Sequence, residues 1–230
     1  MMKITVVGSG RMGKILAGAM SGENEVALYD ADRENAERVA GALNLRALAT
    51  MTEAAADAIV LAVPDQAVAA CVAEFVRTGQ AWNIFSVATN ISREMLAALA
   101  SGDVRCLNVK IIGHAGEMSR GSRPVLVIDR GAARLVELAQ QVFAAVGVLT
   151  VGEADQVRRI NNVATTEALR AAVAVERALQ QEGITDPAVI RGALSQVAPG
   201  VVRAYAENDL GPFAREIVAR IRRNGQEDAT

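Results

Sequence analysis

Short apolar runs alternate with alanine-rich amphipathic stretches through the first two thirds of the chain. Most of these runs are continuously apolar, which is typical of strands that helices cover on both faces of a sheet. The pattern predicts strands at 4–7, 26–29, 46–48, 59–63, 82–87, 104–109, 125–128 and 148–151. It predicts helices at 11–20, 33–43, 52–56, 66–76, 93–100 and 132–146. We therefore expect an α/β fold with a doubly wound, mainly parallel sheet.

The strand signals stop after Val151, and residues 153–181 form one long helical stretch without proline or glycine. Further helical segments follow. We place a domain boundary here, with an α/β domain over 1–151 and an all-helical domain over 152–230. Because the second domain is too short to enclose a core of its own comfortably, we expect a homodimer that forms through the C-terminal helices.

A glycine-rich motif, Gly8-Ser9-Gly10-Arg11-Met12-Gly13, follows the first predicted strand and opens the first helix. Its glycines allow a tight turn, approach of a pyrophosphate to the backbone, and close helix–strand packing, while the helix N-terminus attracts the phosphates. The second strand ends at Asp30, at the usual spacing of about 20 residues. The motif and Asp30 together predict a Rossmann domain that binds a nicotinamide dinucleotide.

Asp30 also bears on which dinucleotide is bound. A carboxylate there accepts hydrogen bonds from the adenine ribose and repels a 2′-phosphate, which slightly favours NAD over NADP. Arg33 and Arg11 are cations that could instead pair with a 2′-phosphate. Alternatively, Asp30 serves only to cap the helix that begins near Arg33.

Two later strand ends are predicted to border the cofactor, because ligands of open parallel sheets lie beyond the carboxyl ends of the strands. The first contains Ala62, Val63 and Pro64, and the second contains Ala88. Pro64 is equally well explained as an ordinary turn residue.

Composition narrows the other possibilities. The formal net charge of -2 and the aromatic content of 3% argue against a nucleic-acid partner. The apolar runs are too short to span a membrane, and no signal peptide is visible at the N-terminus. Cys71 and Cys106 form no CxxC motif, so we expect buried thiols, no metal site and a cytoplasmic location.

Four segments carry a resemblance to a known group of enzymes: the glycine motif, Leu61-Ala62-Val63-Pro64, the segment 85–92 and the segment 142–147. In this order they resemble pyrroline-5-carboxylate reductases and the related deazaflavin-dependent NADP reductases, within the 6-phosphogluconate and β-hydroxyacid dehydrogenase superfamily. The resemblance implies a Rossmann domain joined to a helical dimerisation domain. It also implies hydride transfer between nicotinamide and a small imino, keto or hydroxy acid, or a deazaflavin.

The substrate half departs from the reductase pattern, because Asn161-Asn162-Val163-Ala164-Thr165-Thr166 stands where those reductases carry a Ser-Gly-Ser-Gly-Pro-Ala run. The Asn pair resembles the β-hydroxyacid dehydrogenase helix, but Arg158 holds the place of its catalytic Lys. Arginine can bind a carboxylate bidentately but is a poor general acid. Arg158, Asn162 and Thr165 or Thr166 share one helical face, which is either a substrate site or an ordinary solvated or dimer-rim stripe.

Two further catalytic candidates lie near a glycine-rich segment, 113–123, which we expect to be a mobile substrate loop. His114 is the only histidine and could donate a proton, and Lys110 ends the preceding strand. The resulting interpretation is a pyrroline-5-carboxylate reductase-like, NAD(P)-dependent enzyme acting on CH–NH or CH–OH donors. The alternatives are a β-hydroxyacid dehydrogenase, a deazaflavin–NADP reductase, and a dinucleotide sensor without catalysis.

Overall fold

The structure, a computed structural model, describes residues 1–53 and 55–227. The strands in that part of the chain are β1 (Lys3–Val7), β2 (Glu25–Tyr29), β3 (Arg46–Ala47), β4 (Ala58–Leu61), β5 (Trp82–Ser86), β6 (Val104–Ile112), β7 (Val125–Asp129) and β8 (Val148–Gly152). The helices there are α1 (Arg11–Met20), α2 (Arg33–Leu43), α3 (Asp65–Arg77), α4 (Arg93–Leu99), α5 (Ala115–Met118), α6 (Ala133–Phe143), α7 (Gln156–Gln181), α8 (Pro187–Gly192), α9 (Ala198–Ala206) and α10 (Pro212–Glu227). A π-helical turn, Ala193–Val197, joins α8 to α9.

The eight strands form one sheet in the order β3-β2-β1-β4-β5-β6-β7-β8. Strands β1 to β6 are parallel, β7 runs antiparallel to β6, and β8 is parallel to β7. The predicted α/β class and mainly parallel sheet are therefore confirmed. Strand order reverses between β1 and β4, and this is where open α/β sheets form a ligand crevice.

Each face of the sheet packs against helices. On one face, Leu16 of α1 and Phe143 of α6 are fully buried, and Phe143 meets Phe85 of β5 edge to face at 6.0 Å. On the other face, Phe75 of α3 lies edge to face with Trp82 at 5.1 Å. Because helices cover both faces of the sheet, the strands are apolar at successive positions. The loops at the carboxyl ends of the strands therefore extend from a well-packed core.

The helix predicted at 52–56 is wrong for the residues that the structure describes, since Met51, Thr52 and Glu53 form a turn. The Glu53 carboxylate accepts hydrogen bonds from the N–H groups of Ala49 and Thr50 and pairs with Arg46. These local bonds close the segment back on itself and compete with helix formation. Residue 54 lies outside the described residues.

The chain divides into two compact units, one from Met1 to Asn162 and a second that begins at Val163. The division falls inside α7, about ten residues after the predicted boundary near Gly152. Among the described residues of the second unit only Ile190 is buried. No helix in the described part of the chain is both long enough and apolar enough to cross a membrane.

Candidate functional site

The glycine motif forms a turn at the carboxyl end of β1. Gly8 has φ +105°, and a Cβ added there would lie 2.5 Å from the carbonyl oxygen of Ala62. A Cβ on Gly13 would lie 1.8 Å from the carbonyl oxygen of Gly8, whereas one on Gly10 would meet no protein atom within 4 Å. Gly8 and Gly13 are thus required for the turn to close, while Gly10 leaves open space before α1.

The N-terminus of α1 faces that open space without a side chain to cap it. Gly10 is the N-cap residue and makes no side-chain cap hydrogen bond, while Arg11 and Met12 are the first two helical residues. The first N–H groups of a helix lack intrahelical partners and carry partial positive charge. The turn therefore has the room and the donors that a dinucleotide pyrophosphate needs.

Asp30, just after β2, is bound to the glycine turn. Its Oδ2 accepts hydrogen bonds from the backbone N–H of Ser9 at 2.5 Å and from the Ser9 hydroxyl at 2.7 Å. The Asn35 amide donates to the Ser9 hydroxyl oxygen in turn. Burial raises the pKa of Asp30, but the hydrogen bonds from Ser9, Asp32 and Ala31 outweigh it and hold the pKa below its ordinary value. Asp30 is therefore a fixed, charged group beside the turn.

Asp30 is not the N-cap residue of α2, which was its alternative role. The N-cap residue is Asp32, whose carboxylate accepts a hydrogen bond from the N–H of Asn35 at 3.1 Å. Arg33 pairs with Glu37 at 2.8 Å on the exposed surface of α2. Arg11 is also exposed. Neither arginine contacts Asp30 through a hydrogen bond or an ion pair within the described part of the chain.

The two later strand ends lie at the same edge of the sheet as the glycine turn, and the end of β4 is next to it. Ala62 donates its N–H to Val7 O at 2.8 Å, and the Val63 side chain would lie 3.2 Å from a Cβ on Gly8. Pro64 is the N-cap residue of α3. Ala88, after β5, is buried. Ala62 and Val63 are thus close to the motif, and Ala88 lies one strand further along the same edge.

The loop after β5 is held in two places. The Asn90 backbone N–H and side-chain amide donate to the two oxygens of the Asp65 carboxylate, at 3.1 Å and 2.6 Å. On the inner side, the Lys110 ammonium donates to the carbonyl oxygens of Ala88 and, at 2.6 Å, of Ile91.

Lys110 lies on β6 and is 1% exposed. Burial lowers the pKa of its ammonium to about 8, although the carboxylates of Asp155, Asp129 and Asp65 act to raise it. Its side chain is enclosed and directed at backbone carbonyls, which is the geometry of a structural donor.

Helix α7 turns Asn161 toward the sheet, whereas the predicted site residues Arg158 and Asn162 lie on its exposed surface. The Asn161 amide donates to Ile111 O at 2.9 Å, and Val157, one turn earlier, is buried. Arg158 and Asn162 each follow by one residue, so they lie about 100° further around the helix and are exposed. Thr166 is exposed on the part of α7 that belongs to the second unit. In the described residues of the first unit, no hydrogen bond joins Arg158 or Asn162 to the glycine turn.

His114 is exposed and is the N-cap residue of α5, with no side-chain cap hydrogen bond. The segment around it is not a plain loop as predicted, because Ala115–Met118 form a helical turn and Met118 is buried. The buried Met118 side chain attaches this segment to the core. The sequence did not indicate this, because most residues of the segment are glycine or polar.

Residues that the sequence did not single out connect this edge of the sheet to α7. The Asp129 carboxylate, at the end of β7, accepts the N–H of Ala154 at 3.1 Å, and the Asp155 carboxylate accepts the N–H of Arg93 at 3.2 Å. Burial raises the pKa of Asp129, while the Ala154 N–H acts to lower it. In the sequence, the only indication of a role for Asp129 is that a charged residue ends an apolar strand. Within residues 1–53 and 55–227, no group of three or more His, Cys, Asp or Glu side chains is arranged to hold a metal ion.

The N-terminal part of the chain matches a known family. Residues 3–89 match the family described as NADP oxidoreductase, coenzyme F420-dependent. This segment includes the glycine motif, Asp30 and both later strand ends. No curated protein sequence matches the chain significantly.

Solved structures share the fold along most of the chain. A pyrroline-5-carboxylate reductase from Coxiella burnetii is 15% identical, with a TM-score of 0.75 over 98% of this chain and 92% of that one. An imine reductase from Myxococcus stipitatus, solved in complex with NAD+, is 20% identical, with a TM-score of 0.63 over 97% of this chain and 78% of that one. The 3-hydroxyisobutyrate dehydrogenase of Mycobacterium tuberculosis is 17% identical, with a TM-score of 0.66 over 84% of this chain and 71% of that one.

The resemblance stated from the sequence is thus confirmed in two respects. Residues 3–89 match the family of F420-dependent NADP oxidoreductases, and the fold of nearly the whole chain is similar to that of a pyrroline-5-carboxylate reductase.

Proposed function

We propose that this chain is an NAD(P)-dependent oxidoreductase that transfers a hydride from the reduced nicotinamide to the C=N carbon of a small imino acid. The related substrate class is a keto acid, which accepts the hydride at its C=O carbon, or the corresponding hydroxy acid, which returns a hydride to the oxidised nicotinamide. The observation that carries the proposal is the glycine turn, in which Gly8 and Gly13 close the backbone and Gly10 leaves space before an uncapped helix. The likeness in fold to a pyrroline-5-carboxylate reductase and an imine reductase supports the substrate class.

The residues around the turn fit a dinucleotide. The N–H groups at the start of α1 would bind the pyrophosphate, and the fixed Asp30 carboxylate would accept hydrogen bonds from the adenine ribose. Ala62, Val63, Pro64 and Ala88 would border the nicotinamide half at the ends of β4 and β5. When bound, the nicotinamide supplies the hydride, and the protein supplies orientation and electrostatics.

The exposed polar residues of α7 are proposed to receive the substrate. The Arg158 guanidinium can bind a carboxylate with two parallel hydrogen bonds, and Asn162 and Thr166 can donate to a carbonyl or imine substituent. His114 is the proposed proton donor where one is needed. Because an imine can bind in its protonated form, an imine reductase does not require a side chain that donates a proton to the substrate.

A second candidate is a deazaflavin-dependent NADP reductase, which is favoured by the family that residues 3–89 match. A β-hydroxyacid dehydrogenase is less favoured, because Arg158 stands where that group carries its catalytic Lys, and an arginine remains protonated at any working pH.

A substrate panel tests these assignments. The full chain is mixed with NADH or NADPH, and the loss of cofactor absorbance is followed with pyrroline-5-carboxylate, other imino acids, keto acids and an oxidised deazaflavin. We expect turnover with an imino acid. Turnover only with the deazaflavin would replace the first candidate by the second, and cofactor binding without any turnover would indicate a sensor.

We propose that NADH is preferred to NADPH because of Asp30. The substitution Asp30→Asn keeps an acceptor for the Ser9 N–H but removes the charge that would repel a 2′-phosphate. We expect the ratio of NADH to NADPH affinity to fall about tenfold, as measured by fluorescence titration. Asp57→Asn is the matched control, because the Asp57 carboxylate also accepts a strand N–H, from Lys3 at 2.8 Å. An unchanged ratio in Asp30→Asn would rule out a role in cofactor selection.

We further propose that residues 1–151 bind the dinucleotide and that residues 152–230 form the substrate and dimerisation domain. Many apolar side chains of the second unit are exposed, including Leu169, Val202 and Phe213, the last of which is 76% exposed. A second copy of the chain would cover them. The free cysteines, Cys71 and Cys106, support a reducing, cytoplasmic compartment.

Sedimentation tests the dimer. We expect the wild-type chain to sediment with twice its monomer mass at micromolar concentration, and Val202→Asp to shift it to monomer, because a buried interface does not tolerate an unpaired charge. Met95→Asp is the control, since Met95 is 54% exposed on α4 in the first unit. A wild-type monomer would refute the dimer.

A further inference from the structure

Lys110 differs from the other lysines of the chain. There are three, Lys3, Lys14 and Lys110, and the first two are exposed. Lys110 is 1% exposed, which is rare for a lysine because removing an ammonium from water carries a large free-energy cost. The free-energy cost of removing the Lys110 ammonium from water must therefore be offset by the hydrogen bonds and ion interactions that the ammonium makes in the fold.

Those interactions are directed at one loop. The ammonium donates to the carbonyl oxygens of Ala88 and Ile91, which lie on either side of Thr89 and Asn90 in the loop after β5. Charge-assisted hydrogen bonds are stronger than neutral ones, so the two bonds fix the inner side of this loop. The same loop carries Ala88, one of the residues proposed to border the nicotinamide half of the cofactor.

The charge also sets the electrostatic balance of this edge of the sheet. The carboxylates of Asp155 before α7, Asp129 of β7 and Asp65 of α3 all interact with Lys110, and Arg93 of α4 interacts with Asp129. Without the Lys110 charge, three carboxylates would remain with less compensation near the place where a dinucleotide with two phosphates is proposed to bind. Their field would oppose an anionic ligand.

We propose that Lys110 is a positioning residue of the cofactor site, whose buried ammonium holds the loop after β5 and offsets the surrounding carboxylates so that an anionic dinucleotide can bind. The inference rests on the proposed function. Lys110 acts through the loop and through its charge, without touching substrate.

The pH dependence of cofactor binding follows from this role. Because burial lowers the pKa of Lys110 to about 8, its charge is present at pH 7 and largely lost at pH 9.5. By linkage, a ligand that favours the protonated form binds more weakly as that proton is lost. We expect the NADH dissociation constant of the wild-type chain to rise roughly five- to tenfold between pH 7 and pH 9.5.

The test is a set of NADH fluorescence titrations across this pH range with wild type, Lys110→Met and Lys3→Met. Lys110→Met keeps the length of the side chain and removes the charge, so we expect weak binding at pH 7 and no further loss at pH 9.5. Lys3→Met removes the same charge at the opposite edge of the sheet and should follow wild type. Circular dichroism verifies that each variant is folded at each pH.

The wild-type profile keeps the inference testable even if Lys110→Met does not fold. A wild-type dissociation constant that is the same at pH 7 and pH 9.5 overturns the role of Lys110 and leaves the proposed function intact. Equal pH dependence in wild type and Lys110→Met has the same consequence. Absence of NADH and NADPH binding at every pH overturns the proposed function, and the inference with it.

Discussion

Replacing Gly10 by valine is expected to lower the affinity for NADH about 100-fold, which corresponds to about 2.7 kcal/mol of binding free energy. The loss of stability should be no more than about 1 kcal/mol, the cost of a poorer N-cap residue. The backbone of Gly10, at φ -65° and ψ -173°, is one that valine adopts readily, and a Cβ there meets no protein atom within 4 Å. The added side chain would fill only the space proposed for the pyrophosphate. Fluorescence titration gives the affinity, and thermal unfolding gives the stability.

Gly41→Ala is the control for this experiment, because a Cβ on Gly41 of α2 also meets open space but lies away from the proposed site. It should bind NADH as wild type does. Undiminished NADH binding by Gly10→Val would show that no phosphate approaches Gly10, and the glycine turn would then have only a structural role.

Replacing Gly13 by alanine is expected to destabilise the protein by about 3 kcal/mol, because the new Cβ has no room. It would lie 1.8 Å from the carbonyl oxygen of Gly8, which is a backbone atom that cannot rotate away. Either α1 or the turn after β1 must therefore shift, and NADH binding should be lost with the geometry of the turn. Thermal or denaturant unfolding measures the effect.

Gly18→Ala in the same helix provides the comparison. A Cβ on Gly18 would meet Leu43 Cδ2 at 3.4 Å, an ordinary contact, and alanine favours a helix over glycine by up to about 1 kcal/mol. Gly18→Ala should thus match or exceed wild-type stability. If Gly13→Ala is as stable as Gly18→Ala, the close approach of α1 to β1 is not a constraint on the fold.

The sequence predicted those features that depend on local pattern. Apolar runs located seven of the eight strands in the described part of the chain, and a weaker signal at 46–48 located the other. The glycine motif with Asp30 indicated the edge of the sheet where the candidate site lies. These predictions succeeded because strand burial and a tight glycine turn each require particular residue types at fixed spacing. The helix predicted at 52–56 was wrong, because the Glu53 carboxylate accepts hydrogen bonds from the N–H groups of Ala49 and Thr50 and so favours a turn there.

The sequence could not predict features that depend on which face a side chain occupies after packing. The sequence left open whether Asp30 binds the cofactor ribose or caps α2, and only the structure shows that Asp32 caps α2 while Asp30 accepts hydrogen bonds from Ser9. The burial of Lys110 and its hydrogen bonds to backbone carbonyl oxygens also depend on packing and are not visible in the sequence. The hydrogen bond from the Asn161 amide to the carbonyl oxygen of Ile111 likewise depends on the orientation of α7, which the sequence does not show.

Titration of the full wild-type chain with NADH, followed by the change in NADH fluorescence, decides whether the glycine turn is a dinucleotide site. We expect saturable binding at micromolar NADH, as is typical of cofactor sites, and loss of that binding in Gly10→Val under the same conditions. Absence of saturable binding of both NADH and NADPH to a folded wild-type chain would contradict the assignment of the glycine turn as a dinucleotide site.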